Sequence, residues 1–237
     1  GKPMADILGM PMIGHVYKRV KMSKLLDEVY VATCDQVIFD YIESIGGKAV
    51  MTSDCHERCS DRCAEAMLKI EEQERKKIDI MVMVQGDEPM TFPEMIDEAV
   101  NPMLKDKNII ITNLIADLET VDEFNDPNEV KVEVDKFNNA LYFSREAIPS
   151  RKKGVLNVPM KKQVCVIPFS RNFLLEYNDM EPTTLEEIES VDMMRILENG
   201  MNVKMIPTTY FTKAVDTQAD LDRVIGLMKD DKLIGKY

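Results

Sequence analysis

Ile78-Asp79-Ile80-Met81-Val82-Met83-Val84-Gln85-Gly86-Asp87-Glu88-Pro89 is an apolar run of strand length that ends in a glycine, two adjacent carboxylates and a proline. A short apolar segment closed by Gly and Pro reads as a strand buried on both faces. Helical spacing flanks it on both sides, over residues 58–76, which are heavily charged, and over residues 92–104. Further out, residues 29–33, 49–52 and 109–115 read as strands. Residues 35–45 carry apolar side chains at Val37, Ile38, Tyr41, Ile42 and Ile45 and read as a helix stopped by Gly46-Gly47. Strands alternating with helices imply βαβ units. The expected class is α/β, a mostly parallel sheet with helices on both faces.

The second half is patterned differently. Residues 130–134, 140–144 and 162–168 read as strands with little helix between them, an inserted mixed β region. Residues 184–199 read as one helix. Thr183 or Thr184 caps it, Glu186 and Glu187 lie in its first turn, and Asn199-Gly200 closes it. Residues 203–208 return as a strand. A last amphipathic helix follows Asp216-Thr217 and places Leu221, Val224, Ile225 and Met228 on one face. The first helix, about residues 11–25, has no strand before it. No repeat or linker divides the chain, so residues 1–237 are expected to form one domain. A doubly wound sheet normally opens with a strand, and residue 1 is Gly. A natural N-terminal segment is therefore expected to be absent from the chain as given.

Composition sets the outer limits. Of 237 residues, 45% are apolar and 30% charged, which fits a soluble globular protein and not a disordered or fibrous one. No apolar run approaches the ~20 residues of a membrane span. The 30 Lys and Arg face 42 Asp and Glu, for a net charge of −12. Such a chain lacks the electrostatic footprint of a nucleic-acid or anionic-membrane binder, although a bound divalent cation can reverse the field locally. Five cysteines, an odd number, argue against a disulfide framework and for a reducing cytoplasm. Eighteen methionines and no tryptophan read as core filling.

The chemistry concentrates on a few residues. Ligands bind at the carboxyl ends of strands in open α/β sheets, and Asp87 sits at such an end. A carboxylate there suits Mg²⁺ beside a phosphate. Asp216 precedes a helix, so capping competes with metal binding as its role. Although 129 positions apart, the two aspartates can meet at one sheet edge and clamp a metal. Cys55, Cys59 and Cys63 are four residues apart, which would place them on one helical face beside His56. Zinc or an iron–sulfur cluster is one reading, but the spacing lacks the usual close cysteine pairs, and reduced thiols are the simpler one. His15 reads as a packed helix residue and not a catalyst. Arg151-Lys152-Lys153 and Lys161-Lys162 read as a solvated basic face.

These strings also resemble a known family. Gly1-Lys2-Pro3-Met4, Pro11-Met12-Ile13-x-His15-Val16, Val31-Ala32-Thr33, Gly46-Gly47, Met51-Thr52, Val84 to Met90, Ala140-Leu141-Tyr142-Phe143-Ser144-Arg145-x-x-Ile148-Pro149 and Val215-Asp216-Thr217 occur in order along nearly the whole chain. The chain is similar to the 3-deoxy-manno-octulosonate (Kdo) cytidylyltransferases, which have a Rossmann-like nucleotidyltransferase fold. The resemblance implies a cytoplasmic, homodimeric, Mg²⁺-dependent enzyme of lipopolysaccharide biosynthesis. It would couple CMP from CTP to a 2-keto sugar acid, Kdo or a related acid, and release pyrophosphate. It assigns Asp87 and Asp216 to the metal and Lys2 to the CTP phosphates, and makes these three the catalytic residues. Ser60 and Arg62 would bind the cytosine, and Gln85 would serve CTP and the acceptor. Arg145, Gln163, Glu186 and Glu189 would bind the acceptor, with Asp192 and Arg195 on the same acidic helix. That helix and the inserted strands would form the dimer interface, to which Ile188, Val191 and Met194 would contribute.

The departures from the family are equally specific. Of its N-terminal phosphate loop, I-P-A-R-x-x-S-x-R-x-P-G-K-P, only Gly1-Lys2-Pro3 is present, so the chain as given is expected to be inactive. Cys59 replaces a glycine, Gln163 and Ile167 replace a histidine and an aromatic residue, and Met193 replaces a glutamine. Several of these positions face the sugar acid in the family. A cytidylyltransferase for a different acid, such as a nonulosonic acid or a phosphonate, is the alternative. A relative that kept the fold without the activity is disfavoured by the presence of both aspartates.

Overall fold

The computed structural model describes residues 1–155 and 157–237. The chain starts in a single 3-10 turn, Lys2–Met4, and then forms a short antiparallel pair, β1 (Asp6–Ile7) and β2 (Met10–Pro11). Leu8 and Gly9 turn this pair with φ of 54° and 87°. The pair corrects the expectation of no strand before the first helix. It is too short to show an alternating pattern. Helix α1 (Met12–Val20) follows directly.

Strand β3 (Val31–Thr33) pairs in parallel with β4 (Ala49–Met51), and α2 (Gln36–Ser44) crosses between them. The Asp35 carboxylate caps α2 by accepting from Val37 N at 2.8 Å. Gly46-Gly47 stops it as expected. Gly46 has φ +72°, and a Cβ on Gly47 would stand 2.7 Å from the Ile42 side chain. After α3 (Cys59–Glu74), β5 (Ile80–Val84) carries the apolar run, and α4 (Pro93–Lys105) follows it.

The sheet is mixed, not mostly parallel. Strand β6 (Thr112–Asp117) runs parallel to β11 (Lys204–Pro207) and antiparallel to β9 (Lys161–Val164). Beyond β9 lie β7 (Lys131–Val134) and β8 (Ala140–Ser144), in the order β11-β6-β9-β7-β8. Strand β10 (Val166–Ser170) runs antiparallel to β5. Residues 162–168, read as one strand, are thus two, divided at Cys165, where the chain passes from β6 and β7 to β5. Alternation of strands and helices leaves strand direction open, which is why this return strand was not foreseen.

Two short helices were also missed, α5 (Val121–Asn125) and α6 (Arg171–Asp179). The apolar stripe of α6 is only Phe173, Leu174 and Tyr177, which is little periodic signal. The predicted helix over 184–199 is two helices, α7 (Thr184–Glu189) and α8 (Met193–Glu198). Ser190 breaks it with φ 51°. The pull comes from Glu189, whose carboxylate accepts from Tyr142 Oη and Ser144 Oγ at 3.1 Å and from Arg145 N at 2.8 Å. Thr183 takes the N-cap position, where the Glu186 carboxylate accepts from Thr183 N at 3.3 Å while the Thr183 hydroxyl itself makes no capping bond, and Gly200 closes the second helix at φ +74°. The last helix, α9 (Gln218–Met228), buries Val224 and Met228 as its pattern implied.

Helices cover both faces of the sheet. Successive residues Leu114 and Ile115 of β6, and Val166 and Ile167 of β10, enter different clusters. On one face α1 and α4 contribute Val16, Met95, Ile96 and Ala99. On the other, α3, α6 and α8 contribute Met67, Phe173, Leu174, Met193 and Met194. Many methionines are core filler, as read. At about 25 cal/mol per Å² of apolar area removed from water, these two clusters are the main favourable term in holding the sheet edge rigid.

Candidate active site

The site grows from the end of β5. Where the apolar run meets the sheet edge the chain turns at Gln85-Gly86, and Gln85 N donates to the Cys165 carbonyl at 3.4 Å. A glycine suits position 86 because a Cβ there would lie 3.0 Å from Ile13 of α1. The turn delivers Asp87 to the carboxyl end of the strand. Val215 N then donates to the Asp87 carbonyl at 2.9 Å, which lays the segment before α9 against the turn and brings Asp216 to Asp87. Lys2 closes the group from the N-terminal turn. Its Nζ lies 2.8 Å from Asp87 Oδ2 and 3.1 Å from Asp216 Oδ1.

Burial alone would lower the Lys2 pKa, but hydrogen bonds and charge from Asp87 and Asp216 outweigh it and hold the ammonium above its usual range. Asp87 Oδ1 is buried and has no hydrogen-bond partner among the described residues. Buried polar atoms are normally paired. Two carboxylates converging on one cation, with an oxygen to spare, make a hard donor set of the kind Mg²⁺ accepts alongside phosphate and water. Among the described residues no three or more His, Cys, Asp or Glu side chains gather into a metal site, so such an ion would complete its shell from substrate and water. Capping is not the role of Asp216. Thr217 caps α9, accepting from Asp220 N at 3.2 Å while Asp220 Oδ2 accepts from Thr217 N at 2.9 Å.

Most of the other predicted site residues have their polar atoms engaged within the protein. Ser60 is buried in α3 with its Oγ 3.3 Å from Asp192 Oδ2. Arg62 binds Thr52 Oγ1 at 2.6 Å and the Ser53 carbonyl at 3.0 Å, tying α3 to the end of β4. Gln163 Nε2 donates to Asn113 Oδ1 at 2.6 Å. Arg145 spends its guanidinium on the carbonyls of Glu189 at 2.7 Å, Pro127 at 2.9 Å and Ser190 at 3.3 Å. Glu186 is fully buried in a two-pronged pair with Arg195, at 2.6 and 2.7 Å. Arg145, Glu186 and Glu189 therefore brace the α7–α8 corner.

Only Cys59 and Cys63 share a face of α3, not all three thiols. Cys55 precedes α3, Cys59 opens it and Cys63 lies one turn on. Burial is the main cause that raises the Cys59 pKa, and Asp192 and Asp87 add to it, so the start of α3 lies near both acids. Burial also pushes Cys63 up to about 12. His15 is buried in α1, with Nε2 2.8 Å from the Ile7 carbonyl and Nδ1 2.8 Å from Tyr237 Oη. Burial lowers its pKa. Lys162 corrects the reading of a solvated basic face. It is buried and pairs with Glu129 at 3.1 Å.

Sequence reasoning assigned no role to buried Glu88, Thr212 and Lys213 or to half-buried Glu129, which form a polar layer next to Asp87. Only the position of Glu88 next to Asp87 could have drawn attention to it. A cavity of about 250 Å³ lies on the far side of this layer, lined by Asp117, Lys162 and residues 208–212, and it touches none of Lys2, Asp87 and Asp216. The converging charges of Lys2, Asp87 and Asp216 lie at the open edge and outside this cavity.

Comparison with known proteins identifies the family. The family model described as Cytidylyltransferase matches residues 1–205. A 3-deoxy-manno-octulosonate cytidylyltransferase of Geotalea uraniireducens (strain Rf4) is 39% identical over 239 residues, covering 97% of this chain and 93% of that protein. One from Fusobacterium nucleatum is 39% identical, covering 98% and 92%. The solved structure of CMP:2-keto-3-deoxy-manno-octonic acid synthetase complexed with CTP superposes with a TM-score of 0.87 at 33% identity, covering 97% of this chain and 92% of that one. With the strand-end aspartate, its partner before α9 and the lysine between them all in place, the chain belongs to the cytidylyltransferase family and, within it, to the 3-deoxy-manno-octulosonate cytidylyltransferases.

Proposed function

We propose that this protein transfers the cytidylyl group of CTP to Kdo and releases pyrophosphate. The observation that carries the reading is the convergence of Lys2, Asp87 and Asp216 at the end of β5. The sugar-acid hydroxyl attacks the α-phosphorus of CTP, the α–β phosphoanhydride bond breaks, and the hydroxyl proton leaves to solvent. Catalysis of such transfers is mostly positioning and charge neutralisation.

Asp87 and Asp216 would hold Mg²⁺. When bound, the ion polarises the α-phosphate and shields the incoming charge. The spare Asp87 Oδ1 favours this fit. Lys2 sits between the carboxylates and exchanges onto the leaving pyrophosphate. Ser60 and Arg62 flank the nucleotide side. Gln85 and Gln163 contact the acceptor, and Arg145, Glu186 and Glu189, with their charges satisfied internally, shape its wall. Exposed Leu141 on β8 and Ile188 on α7, joined through the Tyr142–Glu189 bond, favour a homodimer contact at this corner. Val191 and Met194, expected at the same contact, are buried within their own subunit. No helix among the described residues is long and apolar enough to cross a membrane. The setting we infer is a cytoplasmic step of lipopolysaccharide synthesis.

Of the substituted positions, Ile167 and Met193 are buried in the core cluster, so half-buried Gln163 makes acceptor identity the point to test. Full-length protein is assayed for CTP-dependent pyrophosphate release with Kdo, a nonulosonic acid and a phosphonate. A kcat/KM for Kdo at least tenfold above the others supports the reading, since a site that pairs specific hydroxyls discriminates strongly. A preference for either other acid moves the enzyme to the alternative acceptor class.

A further inference from the structure

Asp87 and Asp216 come from separate segments, and something must hold their carboxylates at a fixed spacing. The backbone bond from Val215 N to the Asp87 carbonyl is one tie. A single hydrogen bond leaves the segments free to rotate about it. The second tie is a side-chain contact in the layer beneath, between Thr212 Oγ1 and Glu88 Oε2. Glu88 adjoins Asp87 in sequence, and Thr212 lies four residues before Asp216. Both are buried.

The contact is itself braced. The Glu88 carbonyl accepts from Thr91 N at 3.1 Å and Thr91 Oγ1 at 2.9 Å. Lys162 Nζ reaches the Thr212 carbonyl at 3.3 Å and Glu129 at 3.1 Å, and Lys213 Nζ reaches Glu129 at 2.5 Å. Buried Glu88, Lys162 and Lys213 and half-buried Glu129 thus lie beside the site. Stability alone does not call for such a layer, because well-packed apolar residues often serve as well or better. A polar layer does fix one orientation, since rotating either segment would strand buried charge.

We propose that Glu88 is a positioning residue, which through Thr212 locks the turn bearing Asp87 to the segment bearing Asp216 and so sets the metal-binding geometry. This rests on the metal-dependent reading above. The test uses full-length protein and measures Mn²⁺ binding in the presence of CTP by electron paramagnetic resonance, together with thermal melting and the Mg²⁺ dependence of turnover. Thr212→Val removes the hydroxyl at nearly constant volume. It weakens Mn²⁺ binding about tenfold or more, as loss of an outer partner of a metal ligand does. Thr212→Ser keeps the hydroxyl and stays within about threefold of wild type. Glu88→Ala leaves no unpaired buried carboxyl, so it covers the case in which Thr212→Val does not fold, and it weakens Mn²⁺ binding to the same degree. Folded Thr212→Val or Glu88→Ala protein that binds Mn²⁺ like wild type overturns the proposal, as does an equal loss in Thr212→Ser. Wild-type protein that binds no Mn²⁺ with CTP overturns the metal reading itself and the positioning role with it.

Discussion

Two charged regions of this molecule use the same residue types for opposite ends. At the α7–α8 corner, Glu186 and Arg195 are buried against each other, and Arg145 and Glu189 are saturated by backbone and hydroxyl partners. At the end of β5, Lys2 and Asp216 remain open to solvent, and Asp87 keeps an oxygen without a partner. In the first region these charges are paired within the protein. The second has charge in reserve, held by a single lysine that a substrate can draw away. Acidic residues in a motif do not identify a site. What matters is whether their charge is already spent.

The largest way to break this contrast is at the corner. Arg195→Ala leaves Glu186 buried with only Thr183 N at 3.3 Å and Arg58 at 3.9 Å to offset its charge, and is expected to cost about 3 kcal/mol of stability, read from urea unfolding. A loss of turnover with unchanged stability would make the corner part of the site. Lys2→Met acts in the reverse sense. With both carboxylates near the surface, stability should shift by less than about 1 kcal/mol. The kcat/KM for CTP should fall roughly 10²-fold, as when one preorganised charge contact is removed. A pure stability loss would mean that Lys2 only neutralises the aspartates.

The smallest effect concerns a third pair. Glu71 is buried, and hydrogen bonds from Arg171 are the main cause that lowers its pKa from 4.5 to about 2. A lowered carboxyl pKa adds stability that is fully present above the unfolded value of 4.5 and is lost as pH falls from there toward 2. The expected contribution is of order 1 kcal/mol. Glu71→Gln should remove this part of the pH dependence of the urea midpoint between pH 5 and pH 3 and leave neutral-pH activity to the other region.

Much of the contrast was legible in the residues, and the reasons are physical. The run at 78–89 announced a strand with carboxylates at its end because turn chemistry is local, but not a strand buried on both faces: only Met83 of β5 is buried, since among the described residues β5 pairs with β10 alone. Strand direction was not legible, since a period of two is the same in a parallel and an antiparallel neighbour. The break at Ser190 was hidden because its cause is the attraction of Glu189 to β8, a contact distant in sequence. For the same reason the internal pairing of the acidic helix's charges was hidden. Thr212 and Glu129 gave no signal. A threonine or glutamate becomes informative only once the fold places it in the polar layer next to Asp87.

The central claim is that Asp87 and Asp216 act together as the charge-bearing pair of cytidylyl transfer. It is tested most directly by pyrophosphate release from CTP and Kdo at saturating Mg²⁺, comparing full-length wild type with Asp87→Ala, Asp216→Ala and the double variant. The account predicts a loss of roughly 10³-fold for each single variant, the several kcal/mol that metal-borne charge stabilisation supplies, and little further loss in the double variant. Near-wild-type turnover in either single variant, with the protein folded, would contradict it.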